Sequence, residues 1–334
     1  MGLDHVKRVL VTGATGFAGR ALAARLLASG YRVRCAVRRA PIPPARDADE
    51  SGNLELAVVG NLESLPDWRP SLEGVDTVIH LAARVHVMRE RASDPFSLYR
   101  QINRDATLHL AGQAAEQGVS RFIFLSTIKV NGESTMPGRP FTEDDTPAPV
   151  GPYAVSKWEA EQGLREIAAR GTMAVAIVRP PMIYGPGVKG NFERFMRWAD
   201  RGVPFPLAGL DNRRSLLGLG NLTDFLVTLV EHPAAGNELF LVCDGEDLST
   251  PDLFRRIAGA LDRKPRMVPL PPSLLRAAAR VVGKGAVADR LCGSLQISME
   301  KARRLLGWKP PASVNEGIAA AAKCYRAARR TDGA

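Results

Sequence analysis

Along the first half of the chain, short apolar runs alternate with segments whose apolar positions recur at helical period. Val9-Leu10-Val11 is a β-branched and apolar run, and the helical pattern of Arg20–Ser29 begins only after Thr12-Gly13-Ala14-Thr15-Gly16-Phe17-Ala18-Gly19. The pattern predicts a strand, a glycine turn and a helix, with Gly30 closing the helix and Tyr31–Val37 forming a second strand. The polar, Pro-rich stretch Pro41–Asn53 reads as a loop. Further strands are expected at Leu54–Val59, Thr77–His80, Arg121–Ser126 and Ala174–Val178, with helices at Ser97–Gln117 and Tyr153–Ala169. Strands alternating with helices predict an α/β fold, a doubly wound parallel sheet covered on both faces.

Beyond Arg179 the pattern loosens. Helices are expected at Pro251–Asp262, N-capped by Thr250, and at Met299–Leu306, closed by Gly307, with a late strand at Glu238–Cys243. The expected division is a sheet-bearing domain of residues 1–180 with 215–245, and a smaller, discontinuous lobe of residues 181–214 with 246–334.

Composition narrows the class. The 334 residues are 45% hydrophobic, enough for a large core, and 31 Gly and 24 Pro follow no period, which excludes disordered and collagen-like chains. Apolar stretches such as Ala277–Val282 and Ile318–Ala322 are interrupted by Arg or Lys well short of the ~20 residues of a bilayer span. No integral membrane segment is expected, and without an N-terminal signal segment the expected location is cytoplasmic. Cys35, Cys243, Cys292 and Cys324 form no metal-binding or disulfide pattern, so no metal is expected. The excess of 45 Lys+Arg over 35 Asp+Glu, a net +10, is spread through the chain without aromatic interleaving, which argues for small anionic ligands and against nucleic acid.

Gly13-x-x-Gly16-x-x-Gly19 between a first strand and a first helix carries specific chemistry. Glycine allows a tight turn and close backbone approach to a pyrophosphate, which then sits at the positive helix N-terminus. The domain therefore reads as a Rossmann dinucleotide site, and the second lobe as its substrate-binding counterpart. About 20 residues on, where NAD-binding versions carry an acidic residue for the ribose hydroxyl, stand Arg38 and Arg39. Arginine pairs with a 2′-phosphate, so NADP(H) is expected to be preferred, with NAD(H) as the other option.

Tyr153-Ala154-Val155-Ser156-Lys157 places a phenol and an ammonium one helical turn apart, and Ser126-Thr127 stands at the end of the fifth strand. With the glycine turn, these motifs resemble the extended short-chain dehydrogenase/reductases, in the branch of nucleotide-sugar epimerases, dehydratases and 4-keto reductases. The resemblance extends through His80-Leu81-Ala82-Ala83, Asn103, Phe122–Thr127, Arg179-Pro180, Tyr184–Gly187 and Leu305–Trp308. It implies that Tyr153 is the proton donor or acceptor, that Lys157 holds the nicotinamide ribose and lowers the phenol's pKa, and that Thr127 bonds the reacting sugar oxygen. It further implies cofactor contacts from Gly13, Thr15, Gly16, Phe17, Gly19, Arg38, Arg39, Asn61, Leu62, Leu81, Ala82, Ala83, Asn103 and Pro180. Substrate contacts are implied for Ser126, Lys129, Asn191 beside Phe192, Arg214 after Asn212-Arg213, and Arg290. His80 reads as a packing residue at a strand end, and His86 equally as a loop residue or a substrate contact.

Within the branch, dehydratases carry an acidic pair after the strand-end Ser or Thr, whereas Thr127 is followed by Ile128 and Lys129. Lys129-Val130-Asn131-Gly132 resembles the subgroup that reduces UDP-linked 2-acetamido-2,6-dideoxy-4-hexulose for O-antigen assembly. The leading expectation is an NADPH-dependent reductase of a UDP-linked 4-keto-6-deoxy-N-acetylhexosamine. The alternatives are a UDP-hexose 4-epimerase with tightly bound NAD and, more remotely, a non-enzymatic NADP(H) sensor. A UDP-sugar substrate and a homodimer are the expected partners.

Overall fold

The computed structural model describes residues 6–39, 52–85, 94–136, 138–206, 208–271 and 292–331. In chain order the strands are β1 (Arg8–Thr12), β2 (Arg32–Val37), β3 (Leu54–Val58), β4 (Thr77–His80), β5 (Arg121–Leu125), β6 (Ala174–Arg179), β7 (Met182–Tyr184), β8 (Arg214–Gly218), β9 (Leu239–Leu241) and β10 (Asp247–Leu248). The helices are α1 (Phe17–Ala28), α2 (Arg69–Leu72), α3 (Pro95–Arg100), α4 (Ala106–Glu116), α5 (Gly151–Arg170), α6 (Asn191–Asp200), α7 (Leu219–Glu231), α8 (Thr250–Ala260), α9 (Glu300–Leu306) and α10 (Val314–Thr331). A π-helical turn, Gln101–Asp105, joins α3 to α4 and carries Asn103.

Seven strands form one all-parallel sheet in the order β3-β2-β1-β4-β5-β6-β9. Both faces are covered, so its central strands are apolar throughout: Val9, Leu10 and Val11 are fully buried, as are Phe122, Ile123 and Phe124. The order reverses beside β1, with Thr12 paired to His80 across β4, and a crevice at such a switch point is the usual ligand site of an open α/β sheet. This is the doubly wound α/β architecture expected from the alternation of strands and helices.

The remaining strands form a second sheet, β10-β8-β7, beneath a separate apolar core. Phe205 stacks on Phe254 with centroids 4.0 Å apart, and Tyr184 stacks on Phe192 at 5.1 Å, so Phe192 is a core residue. The segment Leu295–Trp308, including much of α9, packs into the large core instead.

Two local expectations change. The N-cap of α8 is Ser249, whose hydroxyl accepts from the Asp252 N–H at 3.1 Å, while Thr250 is drawn into the helix and its hydroxyl accepts from Asn212 Nδ2 at 2.9 Å. The late strand shortens to β9, because it pairs with β6 over only Leu239, Phe240 and Leu241. Gly307 does close α9, in the left-handed conformation at φ 62°.

Candidate active site

The glycine turn follows β1 directly. Gly13 has φ +68°, and a Cβ there would lie 2.8 Å from the Ala82 backbone nitrogen. Gly19 is needed for a different reason: a Cβ on this helical residue would fall 2.1 Å from the Gly13 carbonyl oxygen. The turn is closed by Gly16 N–H donating to Gly13 C=O at 2.9 Å, and Gly16 caps α1 without a side-chain hydrogen bond. The first N–H groups of α1 thus have no side-chain acceptor at the end that favours anions.

Above this turn lies a cavity of about 360 Å³. Gly13, Thr15, Gly16, Arg38, Asn61, Leu62, Leu81, Ala82 and Ala83 line it, each a residue for which the sequence implied a cofactor contact. Val37, Glu63, Trp68, Arg84 and Ile102 also line it and had not been singled out. A side-chain-free turn, an uncapped helix start and a deep cleft with apolar walls suit a dinucleotide. Arg38 and Arg39, just past the end of β2, are both exposed; Arg38 lines the cavity and Arg39 does not. Phe17 opens α1 and packs against the second core, and Gly19 serves the turn's own packing.

A buried polar chain runs beneath the turn. Thr107 Oγ1 donates to the Asn103 carbonyl at 2.9 Å and therefore accepts from His80 Nε2–H, also at 2.9 Å, which leaves His80 Nδ1 to accept from Thr12 Oγ1 at 2.8 Å. Burial holds His80 neutral, its pKa lowered to about 3, first by desolvation and then by Lys157. His80 is thus a structural residue. Asn103 donates to Ser156 Oγ at 3.1 Å and to the Arg84 carbonyl at 3.0 Å, and its Oδ1 accepts from Arg84 N–H at 2.8 Å. Ser156 in turn donates to the Tyr153 carbonyl at 2.9 Å. Asn103 therefore reaches the cleft through Arg84 and the first turn of α5.

Helix α5 presents Tyr153 and Lys157 one turn apart. Tyr153 is half-buried, packs edge-on to Tyr99 with centroids 6.4 Å apart, and shares a side-chain hydrogen bond with Thr127. Burial raises its phenol to about 12, a shift that the bond to Thr127 opposes. Lys157 is 1% exposed, with Nζ 3.8 Å from the Phe124 ring centroid. Its ammonium is pushed down to about 7 by burial, against the opposing charge of Glu161. Thr127 Oγ1 accepts from Lys129 N–H at 3.3 Å, anchoring the turn that carries it.

Behind these groups is an ion pair that the sequence did not announce. Arg179, at the end of β6, donates from Nε and Nη2 to the two oxygens of Glu161, at 3.0 and 2.5 Å, and both side chains are almost fully buried. Nη1 of Arg179 reaches Asn131 Oδ1 at 2.8 Å, and Ser126 Oγ donates to Glu161 Oε1. Ser126, implied as a substrate contact, is in this structure bonded to Glu161. The only hint in the sequence was that Glu161 repeats the four-residue step from Lys157.

The implied substrate residues are dispersed. Arg214 starts β8, donates to the Gly293 carbonyl at 2.9 Å and lies in the field of Glu133, which opposes the downward pull of burial on its guanidinium. Lys129 forms an ion pair with Glu133 at 3.1 Å. Asn191 is exposed at the start of α6, and the Pro180 carbonyl accepts from Ile128 N–H at 3.0 Å. Arg290 and His86 lie outside the described residues. Among the described residues no group of His, Cys, Asp and Glu could hold a metal, and no helix is long and apolar enough to cross a membrane.

A Rossmann sheet with a cavity above its glycine turn, and a Tyr-Lys helix linked to the cavity wall through Ser156, Asn103 and Arg84, defines a nicotinamide-dependent enzyme of the short-chain type. Residues 9–243 match the model of the NAD dependent epimerase/dehydratase family, and the chain belongs to that family. It is 41% identical over 321 residues to a UDP-glucose 4-epimerase of Vibrio cholerae, covering 96% of this chain and 95% of that protein. It is 28% identical to a GDP-6-deoxy-D-mannose reductase of Pseudomonas aeruginosa, over 94% of this chain and 95% of the relative. The solved structure of MoeE5 in complex with UDP-glucose and NAD superposes with a TM-score of 0.76 at 26% identity, covering 96% of this chain and 99% of that one.

Proposed function

We propose that the protein is a UDP-hexose 4-epimerase that retains NAD, a reading that places the epimerase ahead of the reductase the motifs first suggested. The observation that carries it is the 41% identity to a UDP-glucose 4-epimerase over nearly the whole of both chains. Supporting it, Tyr153 shares a side-chain hydrogen bond with Thr127, and Lys157 lies one turn further along the same helix. In this reading the glycine turn and the start of α1 hold the pyrophosphate, Asn61 and Leu62 flank the adenosine half, and Lys157 holds the nicotinamide ribose. NAD held there would supply a hydride acceptor and donor for the sugar C4.

The protein's own part is proton transfer and orientation. Tyr153 Oη takes the proton of the C4 hydroxyl as the C4–H bond breaks and returns it when the ketone is reduced, so no net proton or electron is lost. Thr127 Oγ1 hydrogen-bonds the same sugar oxygen, and its bond to the Tyr153 phenol opposes the rise that burial imposes on that group. Arg214 is the proposed partner of the UDP diphosphate. The test is direct: purified protein without added cofactor should convert UDP-galactose to UDP-glucose, and released cofactor should be NAD.

One observation favours the reductase as a second reading, namely Arg38 at the cavity wall where an acidic residue would select NAD. If UDP-galactose is untouched while NADPH is consumed with a UDP-4-keto-6-deoxy-N-acetylhexosamine, the reductase stands. Arg38→Asp should then weaken NADPH binding at least tenfold relative to NADH, as cofactor titration would record. A homodimer is proposed as well, to be read as twice the chain mass by light scattering.

A further inference from the structure

We propose that the buried Glu161–Arg179 pair is a clamp that sets the position of Thr127 against Tyr153, so that both members are positioning residues. Three elements meet there: α5 contributes Glu161, β6 contributes Arg179, and the turn after β5 contributes Ser126 and Asn131 on either side of Thr127. The turn's backbone is bonded to β6 and the residue after it, through Ser126 N–H to the Val178 carbonyl at 2.7 Å and Ile128 N–H to the Pro180 carbonyl at 3.0 Å, and to the segment before α5, through Ala148 N–H to the Val130 carbonyl at 2.9 Å. Its side chains reach α5 at two points, Ser126 on Glu161 and Thr127 on Tyr153. At the other end Asn131 accepts from Arg179 and donates to the Thr142 carbonyl at 3.0 Å.

Tyr153 and Glu161 are eight residues apart on α5, a little over two turns, so fixing Glu161 against Arg179 fixes the azimuth and depth of Tyr153 relative to the turn. The guanidinium uses all three of its nitrogens in fixed directions, which a lysine cannot reproduce. A buried ion pair is weak evidence for added stability, since desolvation offsets much of its attraction; fixing one arrangement of three elements is the role left to it here. Displacing a reacting group by about 1 Å costs on the order of 100-fold in rate.

The role of the clamp in catalysis rests on the reading that Thr127 and Tyr153 handle the sugar oxygen, and the test separates the two. Glu161→Gln and Arg179→Lys should lower kcat about 10- to 100-fold while KM for UDP-galactose and the NADH fluorescence titration midpoint stay within about twofold. In a Thr127→Ala background Glu161→Gln should cost little further, because the clamp acts through Thr127. Independently of any substrate, hydrogen exchange of the amides of 126–131 should accelerate at least tenfold in Glu161→Gln while α5 and β5 stay protected. Additive effects of Glu161→Gln and Thr127→Ala, or unchanged exchange at 126–131, would overturn the clamp. If Glu161→Gln does not fold, the Ser126→Ala/Asn131→Ala double variant, which leaves the ion pair intact, must show the same exchange and rate changes. A wild-type enzyme inert toward UDP-sugars overturns the proposed function, and the exchange measurement still decides the clamp.

Discussion

Lys157 keeps its ammonium in a pocket floored by an aromatic ring, with its nearest opposing charge one helical turn away at Glu161. Burial disfavours the charged form, so the folded-state pKa of about 7 lies below the ordinary lysine value of 10.5. The unfolded chain then binds more protons than the folded one between those values, and stability rises with pH across that window. Lys157→Met should abolish turnover yet raise the thermal midpoint of cofactor-free protein at pH 7, with the gain shrinking toward pH 10; differential scanning fluorimetry at both values checks the sign. Tyr153→Phe should leave cofactor affinity unchanged and reduce kcat by a factor on the order of 10² or more, measured by coupled assay. Both residues were legible in the sequence because four-residue spacing on a helix is a local property. Arg179 was legible only as part of a motif. Its partner lies 18 positions back on another element, and no periodicity encodes that meeting.

The strands of the first half were readable in the sequence, whereas α6, β8 and α10 beyond Arg179 were not anticipated. The parallel strands of the first half are five or six residues of nearly continuous apolar sequence, with the short β4 still fully buried, and each is followed by turn residues. β7 and β10 have three and two residues, too few for a period, and were missed. α7 was missed because Asn221 and Thr223 are buried among its apolar residues and blur the outward stripe of Gly220, Asp224, Thr228 and Glu231. Two predictions belong here. Gly19→Ala places a methyl into the Gly13 carbonyl and should eliminate cofactor retention through purification, seen as loss of the nicotinamide chromophore on release. Ser249→Ala removes the cap of α8 and should lower unfolding free energy by about 1 kcal/mol in urea titration, with turnover little changed.

At the scale of the molecule, part of the positive excess is spent internally. Asp200 at the end of α6 receives Arg263 and Arg329, and Asp262 receives Arg326, which ties α10 to the ends of α6 and α8. The tighter joint is at Tyr184, which donates to Asp244 at 2.8 Å and packs so close to α10 that a Cβ on Gly317 would lie 2.7 Å from its Oη. Gly317→Ala should therefore destabilise the protein by about 1–3 kcal/mol, and Tyr184→Phe in the same chain should recover part of that loss by removing the atom struck first, as paired denaturation curves would show.

The second core gathers Tyr184 and Phe192 from the middle of the chain with Val314, Ile318 and Ala322 near its far end. On the ribosome, then, the glycine turn and the helix bearing Tyr153 emerge well before the last wall of the opposing lobe exists. The second core therefore cannot close until the final helix is made, because α10 supplies Val314, Ile318, Ala321 and Ala322 to it.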